Sequence, residues 1–248
     1  MPCLRIAEKR YMQAMIQNLT TQEIQNAVDI MQKYNGIDFI YSDNNKSRYI
    51  FNFTKNTSEI IFDNSKGLEV KDKLNNLSNW NLEITIKIAH LRNTFIYLNS
   101  FYNRYLQTQN SKDQQYFRYF AEIISYYFIS IRDIMLHLIN VFIDNPIKLK
   151  HKVDFKKIRK HLVEKNSPIL EALDDFENKT ERFREDLRNS FTHNLNPFIF
   201  YEISEINIEN SLSINYSNSI ANEEFRKVVI ENFEYLSSYI EKLRELFK

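Results

Sequence analysis

The sequence predicts a mainly α-helical fold, a helical bundle with a small N-terminal β-meander and a short β pair before the last helix. Three observations carry this. Only 2 glycines and 4 prolines punctuate 248 residues, too few for a turn-dense β sandwich or a Gly-rich phosphate loop. Beyond residue 79 the apolar residues recur at helical spacing over long stretches. Two shorter stretches, 37–62 and 198–216, consist instead of brief β-branched and aromatic runs. With 43% apolar and 14% aromatic residues, the chain can bury a substantial core.

Residues 1–35 read as helical, with Thr20 or Thr21 as a cap before Gln22 and Glu23. Runs at 37–41, 49–53 and 59–62, separated by turn-like 43–46 and 55–57, form the expected meander, which Gly67 closes. Long helices are expected over 80–108 and 113–144, separated near Asn110 and Ser111 and stopped at Pro146. A short basic helix covers 154–165. Pro168 suits the first turn of another long helix to about residue 194, and Pro197 blocks its continuation. Residues 198–216 alternate as two short strands. The last helix starts near Asn222 and carries Phe225, Val229, Phe233, Leu236, Ile240 and Leu243 on one face. The expected division is an N-terminal segment, 1–78, and a helical domain, 79–248.

Composition excludes several kinds of chemistry. Lone Cys3 rules out an internal disulfide framework and a Cys-based zinc site. The 5 histidines show no metal-ligand spacing of the H-E-x-x-H kind, and no cofactor is implied. No apolar run precedes the first charges after Met1, so no secretory leader is expected. Residues 123–143 are highly apolar, but Arg132, Asp133 and His137 interrupt them near the middle, which is costly in lipid. They read as a buried helix, and no membrane is expected as a partner.

The formal charge of +1 gives no global pull on nucleic acid, so a polyanion must be bound by a local patch. Residues 148–165 hold 8 Lys/Arg against 2 Asp/Glu, a local charge of +6. Lys156, Lys157, Arg159 and Lys160 lie within it. The stretch reads either as a solvated connection between helices or as a phosphate-contacting edge. The aromatic residues of 116–128 read as core and dimer packing, with base stacking as the alternative.

On the helix expected over 168–194, Leu173, Phe176, Phe183, Leu187 and Phe191 form the core stripe. At about 100° per residue, Asn189 and His193 project opposite that stripe, roughly 40° from each other. Arg188 and Thr192 lie on the flank, and Arg184 is one turn before Arg188. His193 falls in the final turn, where the helix dipole stabilises imidazolium and favours general-acid work. A second Arg and His at the same spacing, Arg132 and His137, lies within an apolar helix. That copy reads as an ion-paired helix core, as the site itself, or, with Asp133, as a support lining the same cleft.

The run Leu187-Arg188-Asn189-Ser190-Phe191-Thr192-His193-Asn194 resembles the signature of the HEPN superfamily. These small helical-bundle domains carry an Arg, usually a polar residue next to it, and a His after four to six intervening positions. Here Arg188, Asn189 and His193 fill the three places, on a late helix before a final one. The resemblance covers about residues 79–248 and leaves the meander outside. Arg132, Asp133 and His137 fit the same pattern.

The resemblance implies a metal-independent endoribonuclease. A 2′-hydroxyl attacks the adjacent phosphorus and leaves a 2′,3′-cyclic phosphate and a 5′-hydroxyl. His193 transfers the proton, Arg188 stabilises charge on the phosphoryl oxygens and Asn189 orients one of these groups. Arg184, Thr192, Asp133 and His137 support them, and Lys156, Lys157, Arg159 and Lys160 contact RNA. The absence of a metal-binding cluster in the sequence agrees with that route. On an ideal helix Arg188 and His193 stand about 140° apart, a poor grip on one phosphate. Family members pair two copies of the motif across a shared cleft, so a homodimer is implied. Also implied are a bacterial cytoplasm, a role as toxin or anti-phage defence effector, and an antitoxin or regulatory partner. The competing implication is a noncatalytic RNA-, nucleotide- or partner-binding module of the same fold.

Overall fold

A computed structural model describes residues 19–38, 40–42, 45–53, 67–144, 147, 153–188, 200–206, 212–217 and 222–247; at 35, 40–42, 45–48, 67–70, 186–188, 200–206 and 212–217 this is the backbone alone. The elements are α1 Thr21–Met31, β1 Ile40–Ser42, β2 Asn45–Tyr49, α2 Gly67–Thr108, α3 Ser111–Phe142, α4 Phe155–Glu164, α5 Ile169–Lys179, a π-helical segment Phe183–Arg188, β3 Phe200–Ile206, β4 Leu212–Ser217 and α6 Asn222–Leu246. The fold is mainly helical. Its residues group into two compact units, Met1–Lys33 with Arg92–Tyr126 and Arg182–Glu231, and Tyr34–Leu91 with Tyr127–Glu181 and Asn232–Lys248.

In the first unit, α1 opens with a reciprocal cap. Thr20 Oγ1 accepts from the Glu23 amide at 3.3 Å, and the Glu23 carboxylate accepts from the Thr20 amide at 2.7 Å. The same carboxylate receives Arg104 Nε and Nη2, each at 2.6 Å, tying α1 to α2. Those hydrogen bonds, against a smaller desolvation cost, lower the Glu23 pKa to about 2. The core here is aromatic: Phe101 stacks on Phe120, Tyr102 meets Phe117, and Phe117 meets Phe225 edge-on at 6.2 Å. α2, α3 and α6 thus share one packed centre. Strands β3 and β4 pair antiparallel from Phe200↔Ser217 to Ile206↔Leu212.

In the second unit, β1 and β2 pair antiparallel, with Ile40 opposite Tyr49. The strand expected over 49–53 begins earlier, at Asn45, and ends at Tyr49. Beyond that point α2 takes the backbone. Phe51 N–H donates to Asn81 Oδ1 at 3.1 Å, Asn81 Nδ2 donates back to the Phe51 carbonyl at 2.7 Å, and Ile50 N–H donates to Thr85 Oγ1 at 3.3 Å. These buried backbone groups are therefore satisfied by a helix rather than a neighbouring strand. The third expected strand, 59–62, lies outside the described residues. Gly67 opens α2 rather than closing a meander, so that helix starts well before residue 80.

Phe247 anchors this unit, meeting Phe51, Phe53 and Phe142 at 5.2, 5.8 and 4.5 Å. Gly36 N–H donates to Ser237 Oγ at 2.8 Å. A Cβ at Gly36 would stand 1.8 Å from the Ser237 carbonyl oxygen, so only glycine permits this approach. Arg244 completes the clamp, donating Nε to the Ile50 carbonyl at 2.9 Å and Nη2 to the Asp38 carbonyl at 2.6 Å. The face expected on the last helix is buried at all six positions, from Phe225 to Leu243.

The long helix expected over 168–194 is broken. Pro168 caps α5, and the helix ends before Thr180. That residue is fully buried, and its hydroxyl donates to the Phe176 carbonyl at 2.8 Å. Such back-bonding by threonine loosens and bends a helix. After residues 181 and 182 the chain widens into the π-helical segment. The 100° arithmetic therefore fails between Phe183 and Arg188, since a π turn closes i to i+5 bonds. Leu173, Phe176 and Phe183 are buried as the stripe requires. Among the described residues, no helix is long and apolar enough to cross a membrane.

Two outcomes follow for stability. Gly36→Ala should lower it by about 3 kcal/mol, the upper end of ordinary overpacking, read as a fall in Tm of roughly 6–12 °C. A melting curve matching wild type would contradict the close approach. Glu23 is depressed in the folded state, so its contribution is present above its ordinary value near 4.5 and is lost as pH falls towards 2. The stability gap between wild type and Glu23→Gln should therefore shrink from pH 5 to pH 2 in urea titrations.

Candidate functional site

The two Arg and His pairs differ in what surrounds them. Arg132, in α3, is clamped by Glu177 of α5. Nε to Oε1 is 2.7 Å and Nη2 to Oε2 is 2.9 Å, a two-pronged fork, while Nη1 donates to Asp133 Oδ1 at 2.9 Å. Glu177 is buried, with 4% of its side chain exposed against 17% for Arg132. Burial opposes the guanidinium charge, but the hydrogen bonds and charge of Glu177 outweigh it and raise the Arg132 pKa. This is the ion-paired helix core among the alternatives read from the sequence.

His137 does not join Arg132. Its ring stacks on Trp80 at 4.4 Å between centroids, with the planes 15° apart. Nδ1 is buried and has no hydrogen-bond partner among the described residues. Burial holds the His137 pKa below the ordinary histidine value, against a weaker pull from Asp133. A neutral, stacked imidazole is poorly suited to donate a proton near pH 7. Asp133 is exposed and spends its carboxylate on Arg132.

The Arg188 copy begins at the end of the π-helical segment Phe183–Arg188. Short π segments occur often where a helix serves a function. Arg184 is half-buried on that segment, with Nη1 3.9 Å from Glu185. Asn189, Thr192 and His193 lie outside the described residues. Arg184 and Arg188 belong to the first unit, and Arg132, Asp133 and His137 to the second.

The basic helix forms as expected, capped by Asp154, whose carboxylate accepts from the Lys157 amide at 3.0 Å. Its cations are largely neutralised in place. Lys157 lies 3.2 Å from Asp154, Arg159 forks onto Asp174 at 2.9 and 3.0 Å, and Lys160 is 3.9 Å from Glu164. Lys156 is exposed and makes no ion pair among the described residues. A cavity of about 760 Å³ opens beside α5, but Asp175 there is shared between Lys179 and Lys242, each 3.0 Å away. In the aromatic run 116–128, Phe117, Phe120 and Phe128 are core, whereas Tyr119 and Tyr126 are exposed. Among the described residues, no three His, Cys, Asp or Glu side chains are grouped to hold a metal ion.

One arginine that the sequence does not single out is also organised. Arg226 stands in the mixed-charge run Glu223-Glu224-Phe225-Arg226-Lys227. Its Nε donates to Oδ1 of the fully buried Asn99 at 2.8 Å, and its guanidinium lies over the Tyr102 ring at 5.1 Å.

The Arg132–Glu177 assignment is testable by denaturation. Glu177→Leu should cost about 3–5 kcal/mol by stranding a buried guanidinium, and Arg132→Met with Glu177→Leu should recover most of it. A double variant as unstable as the single one would mean that the fork does more than balance charge.

A family model of Cthe2314-like HEPN domains matches residues 80–248. A model of the second domain of NMD3 matches a shorter stretch, residues 5–88. No curated protein and no solved structure gives a significant match. The HEPN match takes in both Arg and His pairs and most of α2, all of α3 to α6 and the π-helical segment, well over half of the sequence. On that ground the chain belongs to the Cthe2314-like HEPN family.

Proposed function

We propose that this protein is an endoribonuclease that cleaves RNA without a metal ion, with Arg188, Asn189 and His193 as its catalytic residues. The observation that carries the proposal is the fate of the competing pair. Both pairs lie within the HEPN match. The Arg132 guanidinium is held by Glu177 and Asp133, and His137 is stacked on Trp80. The backbone reaches Arg188 through a π-helical segment, and under this reading that copy carries the chemistry.

In the proposed reaction the 2′-oxygen bonds to phosphorus as the P–O5′ bond breaks. The 2′-hydroxyl gives up its proton and the departing 5′-oxygen gains one, with His193 as the group that moves protons. Arg188 balances the charge that grows on the non-bridging oxygens, and Asn189 holds a phosphoryl oxygen or the imidazole by hydrogen bonds. Arg184 and Thr192 support the motif; Asp133 and His137 enter the proposal only as packing partners of Arg132 and Trp80. A homodimer supplies the second copy of the motif. The cellular role that fits such an enzyme is a toxin or anti-phage defence effector in a bacterial cytoplasm, restrained by a partner.

The second reading is a binding module that uses Lys156, Lys157, Arg159 and Lys160 on RNA. Three of those four already carry a carboxylate, which weakens that edge as a phosphate surface.

The test is cleavage of a mixed RNA pool in EDTA. Wild type should cut and leave 2′,3′-cyclic phosphate ends. Arg188→Ala and His193→Ala should each slow cutting by at least about a hundredfold, while His137→Ala should cut normally. If wild type binds RNA without cutting it, the binding-module reading replaces this one. Loss of cutting with His137→Ala alone would move the site to the other pair.

A further inference from the structure

Charged side chains near the start of α6 are nearly all spoken for. Arg182 meets Glu224 at 2.6 Å, and Lys227 meets Glu223 at 3.1 Å. Arg104, which α2 presents in the same unit, is forked onto Glu23. Arg226 differs from all three. It has no carboxylate within ion-pair distance among the described residues, and its one hydrogen bond runs to a neutral amide.

That amide is a built support. Asn99 is fully buried, its Nδ2 donates to the Phe95 carbonyl at 2.9 Å, and its Oδ1 is thereby aimed at Arg226 Nε. The buried Tyr102 ring lies under the guanidinium. Nε and one face are thus fixed, and among the described residues four of the five N–H donors of the arginine are left over. A planar cation with its Nη edge uncommitted matches a phosphate, which accepts two parallel N–H bonds. A guanidinium needed only to satisfy Asn99 Oδ1 would be equally served by a neutral donor, and its charge would have gained stability from a nearby carboxylate.

We propose that Arg226, positioned by Asn99 and Tyr102, is a binding residue for a backbone phosphate of the RNA. The inference rests on RNA being the ligand, as in the function proposed above, but not on cleavage. Arg226 holds a phosphate along the bound strand and takes no part in proton transfer.

The experiment measures binding of a single-stranded RNA oligonucleotide to the full chain carrying His193→Ala, in EDTA, by fluorescence anisotropy over a range of salt. Arg226→Gln keeps a hydrogen-bond donor but removes the charge. It should weaken binding by at least about tenfold. The slope of log affinity against log salt should fall by about 0.7, the loss of one phosphate contact on a single strand. Lys227→Gln, which removes the adjacent paired cation, should leave both unchanged. Arg226→Lys keeps the charge but loses the planar fork and the Nε contact; it should retain the slope and bind with intermediate affinity. A role confined to holding Asn99 would lower Tm without moving the slope, and that result overturns the proposal. Wild-type cleavage with an unchanged Arg226→Gln slope would leave the nuclease reading standing and this one overturned. Binding that depends on Arg226 without any cleavage by the unmutated motif would do the reverse. No RNA binding by any variant would overturn both.

Discussion

An ionised carboxylate buried as deeply as that of Glu177 is tolerated only with a cation held against it. Arg132 meets that requirement, and α3 is fixed to α5 through the fork. The surrounding packing follows this register. Phe128 and Phe176 stack across the same pair of helices, and Phe176 stacks on Tyr239 of α6 at 4.4 Å. Burial, with the charge of Glu177, drives the Tyr239 hydroxyl pKa upward, so it stays protonated beside the pair. A charge committed in this way is structural. The family pattern of an Arg followed by a His is therefore met twice in the sequence, and at Arg132 the guanidinium is already held by Glu177 and Asp133.

Local signals were legible in the sequence, and signals that depend on a distant partner were not. The Thr20 and Glu23 cap, the end of α3, the Asp154 start of α4 and the apolar face of α6 all arise within one or two turns of chain. The second strand was displaced because Ile50 and Phe51 bond to Thr85 and Asn81, partners 35 and 30 residues away. The break at Thr180 has no local signature, since Thr85 and Ser125 make the same back-bond within unbroken helices. The sequence already set the two Arg and His pairs apart, one at a helix end and one within an apolar helix, but the partner of Arg132 was not legible because Glu177 lies 45 residues away. Arg226 carried no local signal at all, as its support, Asn99, is 127 residues distant.

Scarcity of glycine leaves its own mark. Three residues with side chains, Gln109, Asp144 and Asn166, adopt φ of 53°, 68° and 47° where their helices end. Glycine or asparagine normally occupies such turns, as Asn166 does, and a longer side chain such as that of Gln109 costs roughly 1 kcal/mol or more. Local bonds hold each turn in place. Gln109 N–H reaches the Tyr105 carbonyl at 2.8 Å, Asp144 N–H the Val141 carbonyl at 3.2 Å, and Asn166 N–H the Val163 carbonyl at 3.1 Å. The ends of α2, α3 and α4 are thus tight turns kept by their contacts rather than by permissive backbone.

The clamp of Arg244 and Ser237 on the early chain bears on the order of synthesis. Gly36 waits for a partner 201 residues downstream, and the Asp38 carbonyl for one 206 residues downstream. At ribosomal speeds of about 5–20 residues per second, that interval is roughly 10–40 s. Throughout it, the carbonyls of Asp38 and Ile50 lack Arg244 and the faces of Phe51 and Phe53 lack Phe247. The unit that holds the fork and the aromatic anchor of Phe247 therefore closes only after translation has passed that residue, and a nascent chain halted before Ser237 keeps an adhesive front segment exposed to chaperones and proteases.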